Sequence, residues 1–275
     1  MGNELTTIEE QMRSEAEQYA SMTRTDSSFI SFKGGVFRVD DEPVPGNELV
    51  AVVLDVVFEN TFYTTEWDPE KNTPPTCFAM ARSQDELAPH PDMQADLNFF
   101  EPQNDECKGC QWNDWGSAEI LKSEYGLGKG GRGKACGNRF RIAMIPAGMY
   151  VPRKGSRDLD LEIYEDEENY KTAPVVILKT PPTSLKNVGN YLKGCGRDYG
   201  RPPYGLVTRV YSRPVKTYHE ICFEVLDEMP VEYLPTVQAR HEEAKDIIIS
   251  PYAPPDEEQD APARSRGRLA GLPKG

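Results

Sequence analysis

The sequence has no long apolar run. None of its stretches approaches the roughly 18 apolar residues that a membrane-spanning helix requires, and the mean hydropathy is −0.62. The N-terminal stretch MGNELTTIEEQMRSEAEQ lacks the apolar core of an export signal. We therefore expect a globular protein that has no membrane partner and stays in a reducing compartment, where cysteines remain thiols.

The chain is also poor in histidine and lacks several common catalytic motifs. It has three histidines, and His219-Glu220 is not followed by the second histidine of a helical H-E-x-x-H site. The H-x-E and P-C-x-x-C signatures of zinc deaminases are missing. The basic stretch GLGKGGRGKAC contains no lysine followed by the serine or threonine that a P-loop uses to bind magnesium. These absences predict a protein without enzymatic activity.

Cysteine, in contrast, is concentrated. Four of the six cysteines fall in one stretch: Cys77, the C-x-x-C pair Cys107 and Cys110, and Cys136. Four thiolates suffice for a tetrahedral zinc site, and a C-x-x-C turn is the usual way for one loop to supply two ligands. The sequence therefore predicts one structural zinc ion on these residues. Because their spacing is wide, His90 and Cys195 are reserve ligands.

Two other interpretations of the cysteines stay open. A C-x-x-C pair can be redox-active, although that motif usually follows a strand at the start of a helix, and here FFEPQNDE precedes it. Disulfides are the second alternative, and the expected reducing location disfavours them. Cys222 lies in an alternating apolar pattern and is predicted to be a core residue.

The pattern along the chain predicts one domain with two polar ends. Residues 1–24 read as an N-terminal helical arm, and residues 25–250 form the domain. Within it, residues 66–138 are a proline-rich insertion without periodicity, which the zinc would hold together. Residues 251–275 are charged and rich in proline, so we expect a disordered tail that is dispensable for folding.

The domain is predicted to be mainly β with minor α. SSFISFKGGVFRV reads as a hairpin, and NELVAVVLDVVFENTF is the strongest strand, with Val50, Val56 and Phe58 expected on one face. One helix, capped by Ser184 and stopped by Gly194, separates the earlier strands from the last two, and a C-terminal helix follows them. This order favours an OB-fold-like barrel with a zinc-stapled insertion. The alternative is a mixed α+β sheet that carries a zinc ribbon.

The charge is unevenly distributed. The net charge is −14, yet six basic residues face two acidic ones between Glu119 and Arg141, and seven face one between Lys186 and Lys216. Basic stretches interleaved with aromatic residues are typical of proteins that bind single-stranded nucleic acid. The predicted binding residues are Lys122, Lys129, Arg132, Lys134, Arg139, Arg141, Lys193, Arg197 and Arg201, together with Tyr199, Tyr204 and Trp112.

Two predictions in the basic stretch around the cysteines depend on which way a side chain points. Trp115, next to Gly116, is predicted to plug the local core over the metal site rather than to stack on a base. Arg139 and Arg141 alternate with apolar residues and are expected to point out of the barrel together. The alternative for this pair is a solvated strand face with no ligand.

Residues 47–228 resemble single-stranded DNA-binding proteins of tailed bacteriophages. The resemblance is carried by CKGCQWNDWGSA, GKGGRGKACGNRFRIAMI, APVVILKTPPTSLKNVGNYLKG and LVTRVYSRP, and its most specific part is the cysteine cluster with N-x-W-G-S. It implies an OB-fold, single-stranded DNA as partner, a role in phage DNA replication or recombination, and the cytoplasm of the infected cell as location. The charged tail would then contact other replication or recombination proteins.

The chain departs from that group at its end. Single-strand binders commonly finish in an acidic tip, whereas here Asp256–Asp260 is followed by Arg264, Arg266, Arg268 and Lys274. A protein of a second class therefore remains as an alternative, namely a zinc-stabilised interaction protein or virion-associated phage protein.

Overall fold

The computed structural model of the chain describes residues 28–39, 41–64, 73–97, 99–128, 130–153 and 159–252. The predicted N-terminal arm, Lys129 and the tail beyond residue 252 lie outside the described residues.

The described chain is mainly β, as the sequence predicts. The strands are β1 (Ser28–Lys33), β2 (Val36–Val39), β3 (Glu42–Pro43), β4 (Glu48–Phe62), β5 (Cys77–Ala81), β6 (Gly137–Pro146), β7 (Gly148–Pro152), β8 (Leu159–Ile163), β9 (Val176–Lys179), β10 (Leu206–Val215) and β11 (Tyr218–Glu228). The helices are α1 (Ser117–Tyr125), α2 (Glu167–Thr172), α3 (Leu185–Tyr199) and α4 (Leu234–Ile248). In this part of the chain, no helix has the length and apolar character needed to cross a membrane.

One sheet holds nine of the strands, in the order β11-β10-β4-β6-β9-β1-β2-β3, with β5 added to the edge of β4. Its pairs are antiparallel except for β1 with β9. The long strand β4 pairs with β6 along one edge, while its other edge takes β10 near Glu48 and β5 near Phe62. One strand therefore connects the main sheet to the insertion that carries the cysteines.

The sheet curls until strands near its two ends meet. Gly35, in the turn between β1 and β2 with φ +82°, lies against the ring of His219 in β11, where a Cβ would approach ring carbon Cδ2 to 2.4 Å. On the concave face, Phe37 from one end and Ile221 from the other join a single apolar core with α3. The result is a curled half-barrel with a helix in its concavity.

Helix α3 differs from the prediction at both ends. It runs through Gly194 to Tyr199 and ends at Gly200, whose φ is +62°. The extra turn is retained because Cys195 is buried at 1% exposure in the concave core. Ser184 does not cap the helix; its Oγ accepts a hydrogen bond from the Ile221 amide at 2.8 Å, which ties the helix start to β11.

A β-bulge divides β4. The register with β6 shifts between Val53 and Asp55, and an extra residue in one strand reverses the alternation of faces. Val50 therefore faces the core beneath α4, whereas Val56 and Phe58 pack on the α3 side. The expectation that these three side chains share a face is wrong for this reason.

The chain continues past α4 across the convex side of the sheet. The Tyr252 ring packs edge-on against Phe78, with ring centroids 5.0 Å apart. Its hydroxyl donates to Glu59 Oε1 at 2.9 Å, and Lys179 Nζ donates to that hydroxyl at 2.8 Å. The predicted boundary of the tail at residue 251 is therefore too early, because Tyr252 belongs to the folded domain.

Candidate nucleic-acid interface

The four predicted metal ligands line one small cavity of about 20 Å³ at the insertion end of β4. Cys77 opens β5 opposite Phe62, and Cys136 directly precedes β6. Cys107 and Cys110 enclose a turn in which the Cys110 amide donates to Cys107 O at 3.4 Å. The structure thus brings together four thiols from three separate segments.

Burial is the largest influence on the pKa of three of these thiols. It raises the pKa of Cys77 to about 12 and also raises the pKa values of Cys107 and Cys136. The other cysteine charges add to the rise, which shows that the sulfur atoms lie within electrostatic reach of one another.

All six cysteines are free thiols. Across the described residues, no group of three or more histidine, cysteine or acidic side chains is arranged to hold a metal ion, so zinc stays a prediction.

The reserve ligands are engaged elsewhere. The ring of His90 stacks on Phe78 at 5.3 Å, and its Nε2 lies 3.1 Å from the carbonyl oxygen of Ile249. Cys195 is in the concave core, and neither residue lines the cavity. Cys222 is a buried residue of β11, in agreement with its predicted core position.

The N-x-W-G-S motif joins the segments around the cavity, beginning with Asn113. Its Nδ2 donates to Cys107 O at 3.0 Å. Its Oδ1 accepts from Lys134 Nζ at 3.1 Å and from Asn138 Nδ2 at 2.9 Å. One amide side chain therefore links the C-x-x-C loop to the chain on both sides of Cys136.

Gly116 and Ser117 fix the glycine-rich loop over the start of α1. Gly116 has φ +92°, and its amide donates to Gly133 O at 3.1 Å. Ser117 is 2% exposed; its Oγ donates to Asp114 O at 2.7 Å and accepts from the Ala135 amide at 2.9 Å. The loop is thus held by specific bonds.

The two tryptophans of this region exchange the roles predicted for them. Trp112 is 2% exposed, stacks on Phe62 at 5.1 Å and donates from Nε1 to Gln103 Oε1 at 3.0 Å. It is a core residue and presents no face to a ligand. Trp115 is 80% exposed, so it does not plug the core. The left-handed turn at Gly116 directs the chain around Trp115 and leaves its ring outside.

An open groove lies beside Trp115. It is lined by Trp115, Gly116, Glu119, Gly131 and Arg132, and it offers an open volume of about 440 Å³. Arg132 is exposed, and Lys134 Nζ lies 6.0 Å from the centroid of the Trp115 ring. The groove therefore combines an aromatic face with one cation, Arg132, and the half-buried Lys134 lies near the ring. Lys122 is exposed on the adjoining helix α1.

The second basic stretch is largely neutralised. Arg209 pairs with Glu48 and Glu224, and Arg213 pairs with Glu220. Arg201 pairs with Glu228 at 2.9 Å and donates to the carbonyl of Met229. The acids come from neighbouring strands, mainly β11, so a charge count along residues 186–216 overstates the positive potential there.

The remaining predicted residues of that stretch divide into exposed and packed. Lys193, Arg197 and Tyr199 lie exposed on the last turns of α3, with Arg197 bonded to Asp198. Tyr204 stacks on His241 at 4.6 Å in the core beneath α4, so its ring is not free to stack on a base. Of the two tyrosines predicted to stack, only Tyr199 has an exposed position.

The expectation that Arg139 and Arg141 point to solvent together is wrong for Arg141. It is 3% exposed, its Nη1 donates to Ser250 O at 2.9 Å, and Glu59 Oε1 lies 3.9 Å away. Burial lowers its pKa. The convex face that it occupies is covered by the chain after α4. Arg139 is half-buried.

Comparison with known proteins identifies no relative: the chain matches no family model, no curated protein and no solved structure. The resemblance to phage single-strand binders therefore stays an expectation from the sequence.

Trp115 and Glu119 are the groove residues that the sequence pattern does not predict. The signal for Trp115 was its place just before Gly116-Ser117, where a helix starts and the preceding side chain lies outside it.

Proposed function

We propose that the protein binds single-stranded DNA of any sequence, without catalysis. The observation that carries the proposal is Trp115, which is 80% exposed in an open groove with Arg132 and lies 6.0 Å from Lys134 Nζ. Binding of single strands requires aromatic faces for the bases and cations for the phosphates. Asn113, Gly116 and Ser117 each hold the local structure, whereas the Trp115 ring is left to solvent.

The partner is a single strand because of the chemistry of the exposed ring. A base inside a duplex already stacks on its neighbours, whereas an unpaired base can stack on an aromatic side chain at about 1–3 kcal/mol per base. Lys122 lies exposed next to the groove and would bind the adjacent phosphates. Lys193, Arg197 and Tyr199 are the second part of the proposed path.

We also infer that Cys77, Cys107, Cys110 and Cys136 bind one structural zinc ion. Four sulfur donors are a common zinc ligand set, and these four share one cavity. Zinc would be bound by the deprotonated thiols and would hold the C-x-x-C loop against the segment before β6. Through Asn113, that contact supports the loop that presents Trp115.

The finer fold assignment is an OB-fold-like barrel, supported by the curled sheet and by α3, which lies in the concavity and precedes the last two strands. With the resemblance noted above, this fold supports a role in phage DNA replication or recombination in the cytoplasm of the infected cell. The charged tail would contact other proteins of that process.

The test is fluorescence anisotropy with a labelled thymine thirty-mer and the full chain. Trp115→Ala should weaken binding by about 5- to 150-fold, which corresponds to the stacking energy of one base, and Trp115→Phe should retain part of the affinity. Ile120→Ala is the matched control, since Ile120 is 46% exposed on the adjoining helix α1 but does not line the groove. Equal affinity of Trp115→Ala and the wild type would reject the groove as the binding site.

The second candidate function is a zinc-stabilised protein-interaction or virion-associated role. Trp115 and Ile120 are both exposed near α1, and the net charge of −14 repels nucleic acid at a distance. If the wild type does not bind the thymine strand even at low salt, this candidate replaces DNA binding.

A further inference from the structure

The groove beside Trp115 also contains a carboxylate. Glu119 Oε2 accepts the Gly131 amide hydrogen at 2.7 Å, which fixes the side chain. The loop passes so close to α1 that position 130 favours glycine. Gly130 has φ +73°, and a Cβ there would lie 3.0 Å from Glu119 Oε2 and 3.2 Å from Lys122 Cβ. An acid held beside an aromatic ring repels phosphate. This end of the groove is therefore suited to a base edge, while the backbone runs past the cations.

We propose that the groove prefers guanine among the four bases, with the base stacked on Trp115, its N1–H and N2 amino group donating to the Glu119 carboxylate, and its O6 or N7 accepting from Arg132. The inference rests on the proposed binding of single strands. It makes Glu119 the residue that determines base preference.

The choice of guanine follows from the hydrogen-bonding groups available. An ionised carboxylate only accepts hydrogen bonds, and a guanidinium group only donates them. Guanine presents two neighbouring donors on one edge and the acceptors O6 and N7 beside them, whereas cytosine and adenine each offer one amino donor. Thymine offers one imino donor between two carbonyl acceptors, which face the carboxylate unfavourably. Guanine thus complements an acid and an arginine in the same groove better than the other three bases do.

The alternative role for Glu119 is structural, as an anchor for Gly131. Glu119→Gln separates the two roles. The glutamine Oε1 can still accept the Gly131 amide hydrogen, so the loop keeps its anchor. Its amide group then points a donor at the base, where guanine also has donors. The substitution should therefore preserve folding but remove the preference for guanine.

The experiment measures anisotropy with four labelled fifteen-mers of thymine. One is unsubstituted, and the others carry guanine, adenine or cytosine at three isolated positions, so that no guanine run can form a quadruplex. The wild type should bind the guanine strand at least about fivefold more tightly than the thymine strand, since one good base contact contributes about 1–3 kcal/mol. Glu119→Gln should bring that ratio to within twofold of one, and its affinity for the thymine strand should equal or exceed that of the wild type, because the substitution removes a negative charge beside the strand.

Two results would overturn the inference while leaving the proposed function intact. One is binding of all four strands with equal affinity by the wild type, and the other is a guanine preference that persists in Glu119→Gln. Failure of the wild type to bind any of the four strands would reject the proposed function and this inference together.

Discussion

At the scale of single residues, the sequence predicts which residue types gather near the cysteines better than it predicts where their side chains point. The sequence predicts a ligand-binding role for Trp112 and a core position for Trp115, and the structure shows the reverse exposure for each. The two cannot be told apart by pattern, because exposure there depends on non-periodic loop geometry. Trp112 follows the C-x-x-C turn into the core, whereas the left-handed turn at Gly116 leaves Trp115 outside. Arg141 alternates as expected, but a pattern within β6 cannot reveal that Ser250 and Tyr252 cover that face.

Tyr252 yields a prediction at this scale. Truncation after Ser250 should lower the free energy of unfolding by about 2–4 kcal/mol, because it removes a ring packed on Phe78 and the donor to Glu59. Glu59 is fully buried, and its Oε2 already lacks a hydrogen-bond partner among the described residues. Urea unfolding of three chains, full-length and truncated after Tyr252 or after Ser250, measures the effect. The chain ending at Tyr252 is the control and should match the full length; equal stability of all three would contradict the packing argument.

At the scale of elements, the predictions held where apolar periodicity was strong. The hairpin of β1 and β2, the long β4, and α4 were all expected from pattern, and each is present. Glycine misled the prediction for α3, because Gly194 lies inside the helix and burial of Cys195 in the concave core continues it. The bulge in β4 could not be predicted, since it is a feature of pairing with β6 and leaves no mark in the alternation of one strand.

The insertion is the element that the sequence could place but not shape. Its proposed metal is testable by elemental analysis of purified protein. The wild type should contain one zinc per chain, and Cys107→Ser should lose the metal and unfold at a lower temperature, since structural zinc contributes directly to folding free energy. Cys222→Ser is the matched control, because Cys222 is a buried thiol of β11 that does not line the cavity. Full zinc occupancy in Cys107→Ser, or none in the wild type, would contradict the assignment.

At the scale of the whole molecule, the fold neutralises much of one basic stretch and leaves cations of the other exposed. The basic residues between 186 and 216 produce less positive potential than their number indicates, because β10 lies beside β4 and β11, whose acids pair with Arg209 and Arg213. The cations near Trp115 still contribute positive potential at the surface, because Arg132 and Lys122 are exposed. A strongly acidic protein can therefore present a local cationic surface, and the proposed DNA binding should depend on salt through that surface and through the exposed cations of α3.

Salt dependence separates the cations from the aromatic ring. Each phosphate contact on a single strand contributes about −0.7 to the slope of log affinity against log salt. Lys122→Ala combined with Arg132→Ala should therefore make the slope shallower by about 1.4, whereas Trp115→Ala should weaken binding and leave the slope nearly unchanged, because stacking releases few ions. Titration of the thymine thirty-mer at several salt concentrations measures both quantities.

Lys193→Ala combined with Arg197→Ala tests whether the strand also contacts α3. An unchanged slope in that double variant would mean that the strand contacts the groove but not the cations of α3. If the Lys122 and Arg132 double variant kept the wild-type slope, the groove would not be the path of the phosphates.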